Sequence, residues 1–278
     1  MDVLQARKPR PRREWIMLLV QPLANRGVAW LAPTGVSPLS LVLVHGALGL
    51  LAAALLVAHA HAALVAAALL LQVKTVLDNM DGGLARATGK VTEAGRYLDT
   101  GVDLAVNLAL FLALTRHGPA VPALLAFVAL TLLLSLDFNL EARYRELRSA
   151  PAPNPPDLPP GAPRWLLSAP RSLYRVVLAP QDRLLRRLDR ALFELAARMP
   201  EARAPIELRL AWSDLFSTAS VVNLGLSTQL AALGVLALLG RPYLYVPVVA
   251  LQLVYVLVLQ AARVARLRRL GANRGSAA

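Results

Sequence analysis

Four aspartates lie close together in the sequence, between two strongly apolar stretches: Asp78, Asp81, Asp99 and Asp103. Glu93 is the only other acidic residue between Leu51 and Leu136. An aspartate near the centre of a bilayer costs about 2.5–3.5 kcal/mol on insertion scales, so a group of four needs a compensating cation. Carboxylate oxygens are the ligands that Mg²⁺, Mn²⁺ and Ca²⁺ prefer. The cluster therefore predicts a divalent metal site.

The spacing of these acids places them on two helical faces. The first face has residues at i, i+3, i+4 and i+7, namely Asp78, Asp81, Gly82 and Ala85. The second has residues at i, i+4 and i+8, namely Gly95, Asp99 and Asp103. Residues 87–94 contain Gly89 and predict a short reversal between the helices. Two antiparallel helices would present two carboxylates each across a narrow gap, an arrangement suited to two ions that act on a phosphoryl group.

Small residues and one arginine accompany the first pair of acids. Gly82 and Ala85 remove bulk from the acidic face, so a phosphorylated ligand can approach the backbone closely. Arg86 follows and offers a planar set of donors that matches phosphate. Small residues also allow helices to pack closely in membranes. Packing alone would leave the aspartates unexplained.

The elements that must position these residues are membrane helices. The chain is 56% hydrophobic, with a mean hydropathy of +0.51, and no charged residue occurs between Gly27 and Val73. No strand-like alternation is visible, so we predict an all-α polytopic bundle. Its six transmembrane helices are predicted at 38–58, 62–86, 96–116, 119–142, 214–240 and 242–264. Residues 13–31 precede them and predict an interfacial amphipathic helix, with Trp15 and Trp30 at headgroup level.

Basic residues predict the orientation of the bundle. An even number of spans puts both termini on one side, together with most arginines and lysines, whereas Arg116 and Arg241 alone would mark the opposite loops. The positive-inside rule then places the termini and the acidic cluster in the cytoplasm, in an inner or plasma membrane. The net charge of +13 is better explained by anionic lipid headgroups than by nucleic acid, because no nucleic-acid-binding motif is present. The absence of cysteine excludes disulfides and thiolate metal sites.

The sequence divides into four segments: residues 1–37 (basic terminus and interfacial helix), 38–148 (four spans with the acidic cluster), 149–212 (an insertion) and 213–278 (two spans and a basic tail). The insertion opens with a proline-rich stretch, Ala150–Pro163, which predicts an extended loop. Gln181–Met199 follows as an amphipathic helix with an apolar leucine stripe. Two roles remain open for it: anchoring on the membrane surface, or covering the active site and helping to select an acceptor.

The acidic segment resembles the signature of a known family, the CDP-alcohol phosphatidyltransferases. The pattern is Asp-x-x-Asp-Gly-x-x-Ala-Arg, eight residues, then Gly-x-x-x-Asp-x-x-x-Asp. Every position is matched: Asp78, Asp81, Gly82, Ala85, Arg86, Gly95, Asp99 and Asp103. The family often begins its first membrane helix with Pro-Asn-x-x-Thr, and this chain departs from that feature, because Pro38–Val42 reads PLSLV.

The resemblance implies an enzyme that transfers a substituted phosphate from a CDP-alcohol to an acceptor hydroxyl and releases CMP, in phospholipid biosynthesis. It implies that all four aspartates bind metal, with two Mg²⁺ ions expected and Mn²⁺ as the alternative, and that Asp103 also acts as general base. The residues it places at the CDP-alcohol are Gly82, Ala85, Arg86, Thr92 and Gly95. It also suggests a homodimer. Four arginines at predicted helix ends are candidates for binding a phosphorylated acceptor, with ordinary membrane anchoring as the alternative: Arg143, Arg145, Arg263 and Arg266.

Three functions are compatible with the sequence. The first uses CDP-diacylglycerol as donor and a small polyol or polyol phosphate as acceptor. The second donates a small CDP-linked headgroup to a lipid or polyol. The third is a transporter or scaffold whose aspartates bind a cation without catalysis. The sequence favours catalysis, because the acids occur together with a phosphate-type arginine and two small residues.

Overall fold

The computed structural model of the protein describes residues 14–148, 156–158 and 163–275. No strand occurs in these ranges, and the chain there is largely helical. In chain order the helices are α1 (Met17–Leu31), α2 (Pro38–Leu56), α3 (His61–Ala87), α4 (Glu93–Leu114), α5 (Ala120–Glu146), α6 (Trp165–Leu173), α7 (Ala179–Ala197), α8 (Ile206–Trp212), α9 (Leu215–Val222), α10 (Leu226–Leu238) and α11 (Tyr245–Gly275). The basic residues before Glu14 and most of the predicted proline-rich loop lie outside the described residues.

The all-α polytopic fold is confirmed. Within the described ranges, six stretches are long and apolar enough to cross a membrane: Pro38–Leu56, His61–Ala87, Glu93–Leu114, Ala120–Glu146, Ile206–Leu238 and Pro242–Leu270. Their number agrees with the prediction, and most of their ends fall within a few residues of the predicted ones. A core of buried aliphatic and aromatic side chains joins them, with Phe111 packed against Phe127 and Tyr245.

The fifth span is not the continuous helix that the hydropathy predicted. It consists of α8, α9 and α10, with interruptions at Ser213–Asp214 and at Asn223–Gly225. The Asp214 side chain accepts a hydrogen bond from Ser217 N and caps α9. The buried carboxylate of Glu14 accepts hydrogen bonds from both N and Oγ1 of Thr228, near the start of α10. A residue from the N-terminal segment therefore satisfies the backbone exposed by the second interruption.

Helix α1 forms where an amphipathic helix was predicted. Ala24 and Val28 are buried against the bundle, whereas Leu18 and Trp30 are largely exposed, as is Trp15 just before the helix. The exposed apolar side chains form a face that a membrane interface would cover. Placement of this helix at the interface stays a prediction.

Helix α2 packs against both α3 and α4 and holds the acidic segment in place. It begins with Pro38 at its first position and with the Ser37 side chain accepting a hydrogen bond from Leu39 N. A Cβ atom at Gly46 would lie 2.4 Å from Val102 Cγ1, and one at Gly49 would lie 2.6 Å from Val106 Cγ1. These glycines therefore allow α2 to approach α4 closely enough to insert a side chain between the acidic faces.

The insertion packs on two sides of the bundle. Helix α6 lies against α4, where the Tyr174 ring packs 5.3 Å from that of Tyr97 and the Arg171 guanidinium lies 6.0 Å from the same ring. Helix α7, the predicted amphipathic helix, packs against α5 and α11. Burial, together with a hydrogen bond from its hydroxyl to Asp182, raises the pKa of Tyr174 to about 12. The tyrosine therefore donates to this carboxylate throughout the physiological pH range.

Candidate metal centre

The reversal between α3 and α4 forms as its sequence predicts. Helix α3 ends at Ala87, Gly89 adopts a left-handed φ of 67°, and Lys90 N donates to Ala85 O. Thr92 then caps α4, because its side chain accepts a hydrogen bond from Gly95 N at 3.1 Å. The two helices leave the reversal with their acidic faces turned towards each other.

Three of the four predicted aspartates converge around a histidine that the sequence reasoning did not select. His45 Nε2, on α2, lies 3.1 Å from Asp81 Oδ2, 3.5 Å from Asp99 Oδ1 and 3.8 Å from Asp78 Oδ1. One ligand atom from each of these four residues lies within 4.8 Å of all the others. The His45 side chain is fully buried. Three carboxylates and an imidazole form a donor set that a divalent cation can bind.

The fourth aspartate has a different neighbour, which the sequence reasoning also missed. Lys74 Nζ lies 2.7 Å from Asp103 Oδ1 and 3.7 Å from Asp78 Oδ1. The Lys74 side chain is 1% exposed and reaches from α3 to α4. Its position four residues before Asp78 is the signal that could have identified it, because it is the one lysine or arginine in the run from Gly27 to Leu77.

The remaining motif residues surround the acidic group. Asp81 Oδ1 accepts a hydrogen bond from Gly82 N. A Cβ atom at Gly82 would lie 3.2 Å from Arg86 Nη1, so the glycine leaves room for this guanidinium. Ala85 and Gly95 are partly buried, and Thr92 serves as the cap of α4. The structure thus brings the predicted nucleotide residues to one end of the acidic cluster.

The four predicted acceptor arginines bind carboxylates or carbonyls of the protein. Arg143 donates to Asp189 at 2.6 Å and to Glu201 at 2.6 Å. Arg263 is buried and donates to Asp189 at 2.9 Å and to the carbonyl of Trp212. Arg145 pairs with Glu141 at 3.3 Å, and Arg266 with Asp214. The contacts of Arg143, Arg263 and Arg266 attach the insertion and α8 to α5 and α11, whereas Arg145 and Glu141 lie one turn apart on α5. Acceptor binding by these four arginines stays an untested prediction.

Part of the insertion packs against α4, which carries Asp99 and Asp103, but this part is not the predicted amphipathic helix. Glu93 N and Ala94 N, at the start of α4, donate to the carbonyls of Pro156 and Asp157. Leu173 Cδ2 lies 3.4 Å from the position of a Cβ atom at Gly101. Residues 156–158 therefore lie at the start of α4, and α6 lies along the α4 face that carries Tyr97 and Gly101, whereas α7 packs mainly against α5 and α11.

Comparison with known families agrees with the motif. The family model described as CDP-alcohol phosphatidyltransferase matches residues 30–153, somewhat less than half of the chain. The matched region contains α2, α3, α4 and α5, and with them the four aspartates, His45 and Lys74. The predicted resemblance is confirmed over this part of the chain. No curated protein sequence matches the chain.

Proposed function

We propose that this protein, whose residues 30–153 match the CDP-alcohol phosphatidyltransferase family model, transfers a substituted phosphate from a CDP-alcohol to a hydroxyl acceptor and releases CMP. The observation that carries the proposal is the convergence of Asp78, Asp81 and Asp99 from two helices at a distance of a few ångströms. A group of unneutralised carboxylates inside an apolar bundle is expensive unless a cation joins it. A diphosphate substrate needs the same cation, because its own negative charge must also be neutralised.

The side chains around this point fit a divalent cation. Asp78, Asp81 and Asp99 supply hard oxygen donors, and His45 supplies a nitrogen donor. Asp99 Oδ1 is buried, and among the described residues it has no hydrogen-bond partner closer than His45 Nε2, which is 3.5 Å away. An unsatisfied buried carboxylate oxygen of this kind is available as a ligand. Mg²⁺ is the metal we propose, with Mn²⁺ as the alternative.

The reaction requires a base at the acceptor and a stabilised leaving group. The acceptor hydroxyl oxygen forms a bond to the phosphorus that carries the donor alcohol, and the bond from this phosphorus to the oxygen of CMP breaks. The electron pair leaves with CMP, and the acceptor proton passes to the Asp103 carboxylate. A divalent cation held by Asp78, Asp81, Asp99 and His45 would supply positive charge to the diphosphate and to the departing CMP. Lys74 holds Asp103 through Oδ1 during this transfer.

The nucleotide is proposed to bind where small residues expose the backbone. Gly82 and Ala85 open the α3 surface, and the guanidinium of Arg86 lies over residue 82, where it suits a phosphate. Gly95 and the Thr92 cap border the same end of the cluster.

The substrates and the location of the active site are inferred from the same arrangement. We infer CDP-diacylglycerol as donor and a small polyol or polyol phosphate as acceptor, because a lipid donor can keep its tails in the bilayer while its headgroup reaches the cluster. The excess of basic residues on the side of the termini supports a cytoplasmic active site in an inner or plasma membrane. The homodimer and the four-segment division of the chain stay predictions.

The test is release of CMP by the purified protein in lipid bilayers with Mg²⁺ and CDP-diacylglycerol. Glycerol phosphate, inositol phosphate, inositol and serine are supplied separately as acceptors, and a parallel series supplies a small CDP-linked alcohol with diacylglycerol. Asp103→Asn should reduce turnover by about 10²–10⁴-fold, since this is the usual contribution of a general base. The matched control is Asp157→Asn, at an exposed aspartate outside the cluster.

Each outcome has a defined meaning. Release with CDP-diacylglycerol and one acceptor, absent in Asp103→Asn and retained in Asp157→Asn, supports the proposal and identifies the acceptor. Release only with the small CDP-linked donor would replace the donor assignment. Metal binding without release from any donor would favour the non-catalytic cation-binding alternative.

A further inference from the structure

The acidic cluster contains a buried lysine, and its only role in the proposed reaction is to hold the Asp103 carboxylate. Lys74 is 1% exposed, lies on α3 one turn before Asp78, and bridges to α4 through Asp103. A buried ammonium group requires carboxylate partners, because desolvation of an unpaired charge costs several kcal/mol. Its two partners are members of the acidic motif.

The four carboxylates divide into two unequal groups. Asp78, Asp81 and Asp99 gather with His45, and their ligand atoms lie within 4.8 Å of one another. Asp103 lies outside this group and contacts Lys74 at 2.7 Å. Asp78 belongs to both groups, since one of its oxygens lies 3.8 Å from His45 Nε2 and 3.7 Å from Lys74 Nζ. A carboxylate shared in this way is what a two-ion site would use to bridge its ions.

We propose that the ammonium group of Lys74 takes the place of the second divalent cation. The free enzyme then binds one ion, in the group of Asp78, Asp81, Asp99 and His45, and Lys74 positions Asp103. This inference deepens the proposed function and rests on it for the identity of the site. It replaces the expectation of two ions with one ion and one fixed positive charge.

Space and charge both support this arrangement. Mg²⁺ binds a carboxylate oxygen at about 2.0–2.1 Å, and Asp103 Oδ1 already has a cationic partner, because Lys74 Nζ lies 2.7 Å from it. A divalent ion there would lie against a buried ammonium group and would be repelled by it in a medium of low dielectric constant. One divalent ion and one lysine bring the charge of four carboxylates from −4 to −1, whereas two ions and the lysine would bring it to +1.

The experiment counts bound ions without requiring turnover. Purified protein in bilayer discs, without nucleotide, is equilibrated with Mn²⁺, and bound Mn²⁺ is measured by spin resonance and by elemental analysis. The variants are Lys74→Met, which removes the charge, and Lys74→Arg, which keeps it. Lys90→Met is the matched control, since Lys90 is exposed in the reversal between α3 and α4.

The expected result is one Mn²⁺ per chain in the wild type, in Lys74→Arg and in Lys90→Met, and two in Lys74→Met. If Lys74→Met folds only in the presence of Mn²⁺, it is purified with Mn²⁺, and two bound ions again agree with the proposal. Two ions in the wild type would overturn it, whatever the variants do. One ion in folded Lys74→Met would overturn it as well, because the vacated position would then bind no cation.

Failure of this inference is distinguishable from failure of the proposed function. CMP release with two bound ions would leave the reaction in place and remove Lys74 as a substitute cation. One bound ion without CMP release from any donor would retain the division of the cluster and contradict the reaction.

Discussion

Two buried groups of charged residues in this bundle differ in how their charges balance. Around Asp189, the guanidinium groups of Arg143 and Arg263 and the indole N–H of Trp212 all donate to one carboxylate. The second terminal nitrogen of Arg143 donates to Glu201. The acidic cluster between α3 and α4 instead holds four carboxylates against one lysine and one histidine.

The difference separates a structural site from a binding site. In the group around Asp189, the charges are paired within the protein, and each pair joins the insertion or α8 to the transmembrane helices. In the acidic cluster, negative charge is in excess, so the folded chain alone does not neutralise it. A buried network with paired charges attaches elements to one another, whereas one with an excess of negative charge is suited to bind a cation.

The largest expected effect comes from removing the shared carboxylate of the paired network. Asp189→Leu leaves Arg143 and Arg263 without this partner, and loss of one member of a buried ion pair costs about 3–5 kcal/mol. We expect a lower free energy of unfolding and unchanged Mn²⁺ affinity, measured by denaturant titration in detergent and by metal titration. The control is Glu207→Leu, at an exposed residue of α8. A loss of metal affinity without a loss of stability would contradict the assignment of the Asp189 group as the structural site.

The opposite result is expected from removing one carboxylate of the unbalanced cluster. Asp99→Asn should weaken Mn²⁺ binding by about 100-fold. Loss of a residue that only supports a metal ligand costs up to about 100-fold, and Asp99 is proposed to bind the ion directly. The metal-free protein should be as stable as the wild type or more stable, because repulsion among the carboxylates is relieved. Metal titration and thermal unfolding without metal measure the two effects, with Asp157→Asn as control. Lower metal-free stability would mean that Asp99 already has its charge partner in the protein.

A smaller effect is expected at His45. His45→Leu should lower Mn²⁺ affinity by about 10–100-fold and Mg²⁺ affinity less, because an imidazole ligand favours transition metals over Mg²⁺. Bound Mn²⁺ in the wild type should show hyperfine coupling to one imidazole nitrogen, and this coupling should be absent in the variant. His61→Leu, at an exposed histidine, should leave both quantities unchanged. Absence of nitrogen coupling in the wild type would make His45 a hydrogen-bond donor to Asp81 instead of a ligand.

The smallest expected effect tests the contact that brings α2 to the cluster. A methyl group at residue 46 would meet Val102 Cγ1 at 2.4 Å, so Gly46→Ala should cost about 1–3 kcal/mol of stability through overpacking. It should also weaken metal binding, because His45 moves with α2, and leave the contacts of Asp189 intact. Gly101→Ala is the control, since its nearest neighbour would lie at an ordinary 3.4 Å. Equal losses in both variants would show that the close approach of α2 has no special role.

The sequence predicted the six spans, the reversal at Gly89 and the four aspartates because these features are local in the chain. Helical periodicity assigned the carboxylates to faces correctly, but it could not indicate which other helix packs between those faces. His45 was therefore missed, since it is an isolated polar residue in an apolar run and acquires meaning only when α2 contacts α3 and α4. Lys74 is also isolated in an apolar run, and only its i,i+4 spacing to Asp78 connects it with the acids in the sequence. The interruption of the fifth span was missed for the same reason, because its backbone partner, Glu14, is distant in sequence.

The hydrogen bonds between Glu14 and Thr228 limit how early during chain synthesis the fold can be completed. Their partners are 214 residues apart, so the N-terminal segment is synthesised long before the start of α10 exists. At a synthesis rate of about 5–20 residues per second, the carboxylate waits roughly 10–40 s for its partner. During this interval the first four spans and the acidic cluster are already made. The order of synthesis therefore lets the part of the protein that carries the acidic cluster assemble before the N-terminal segment closes onto the last two spans.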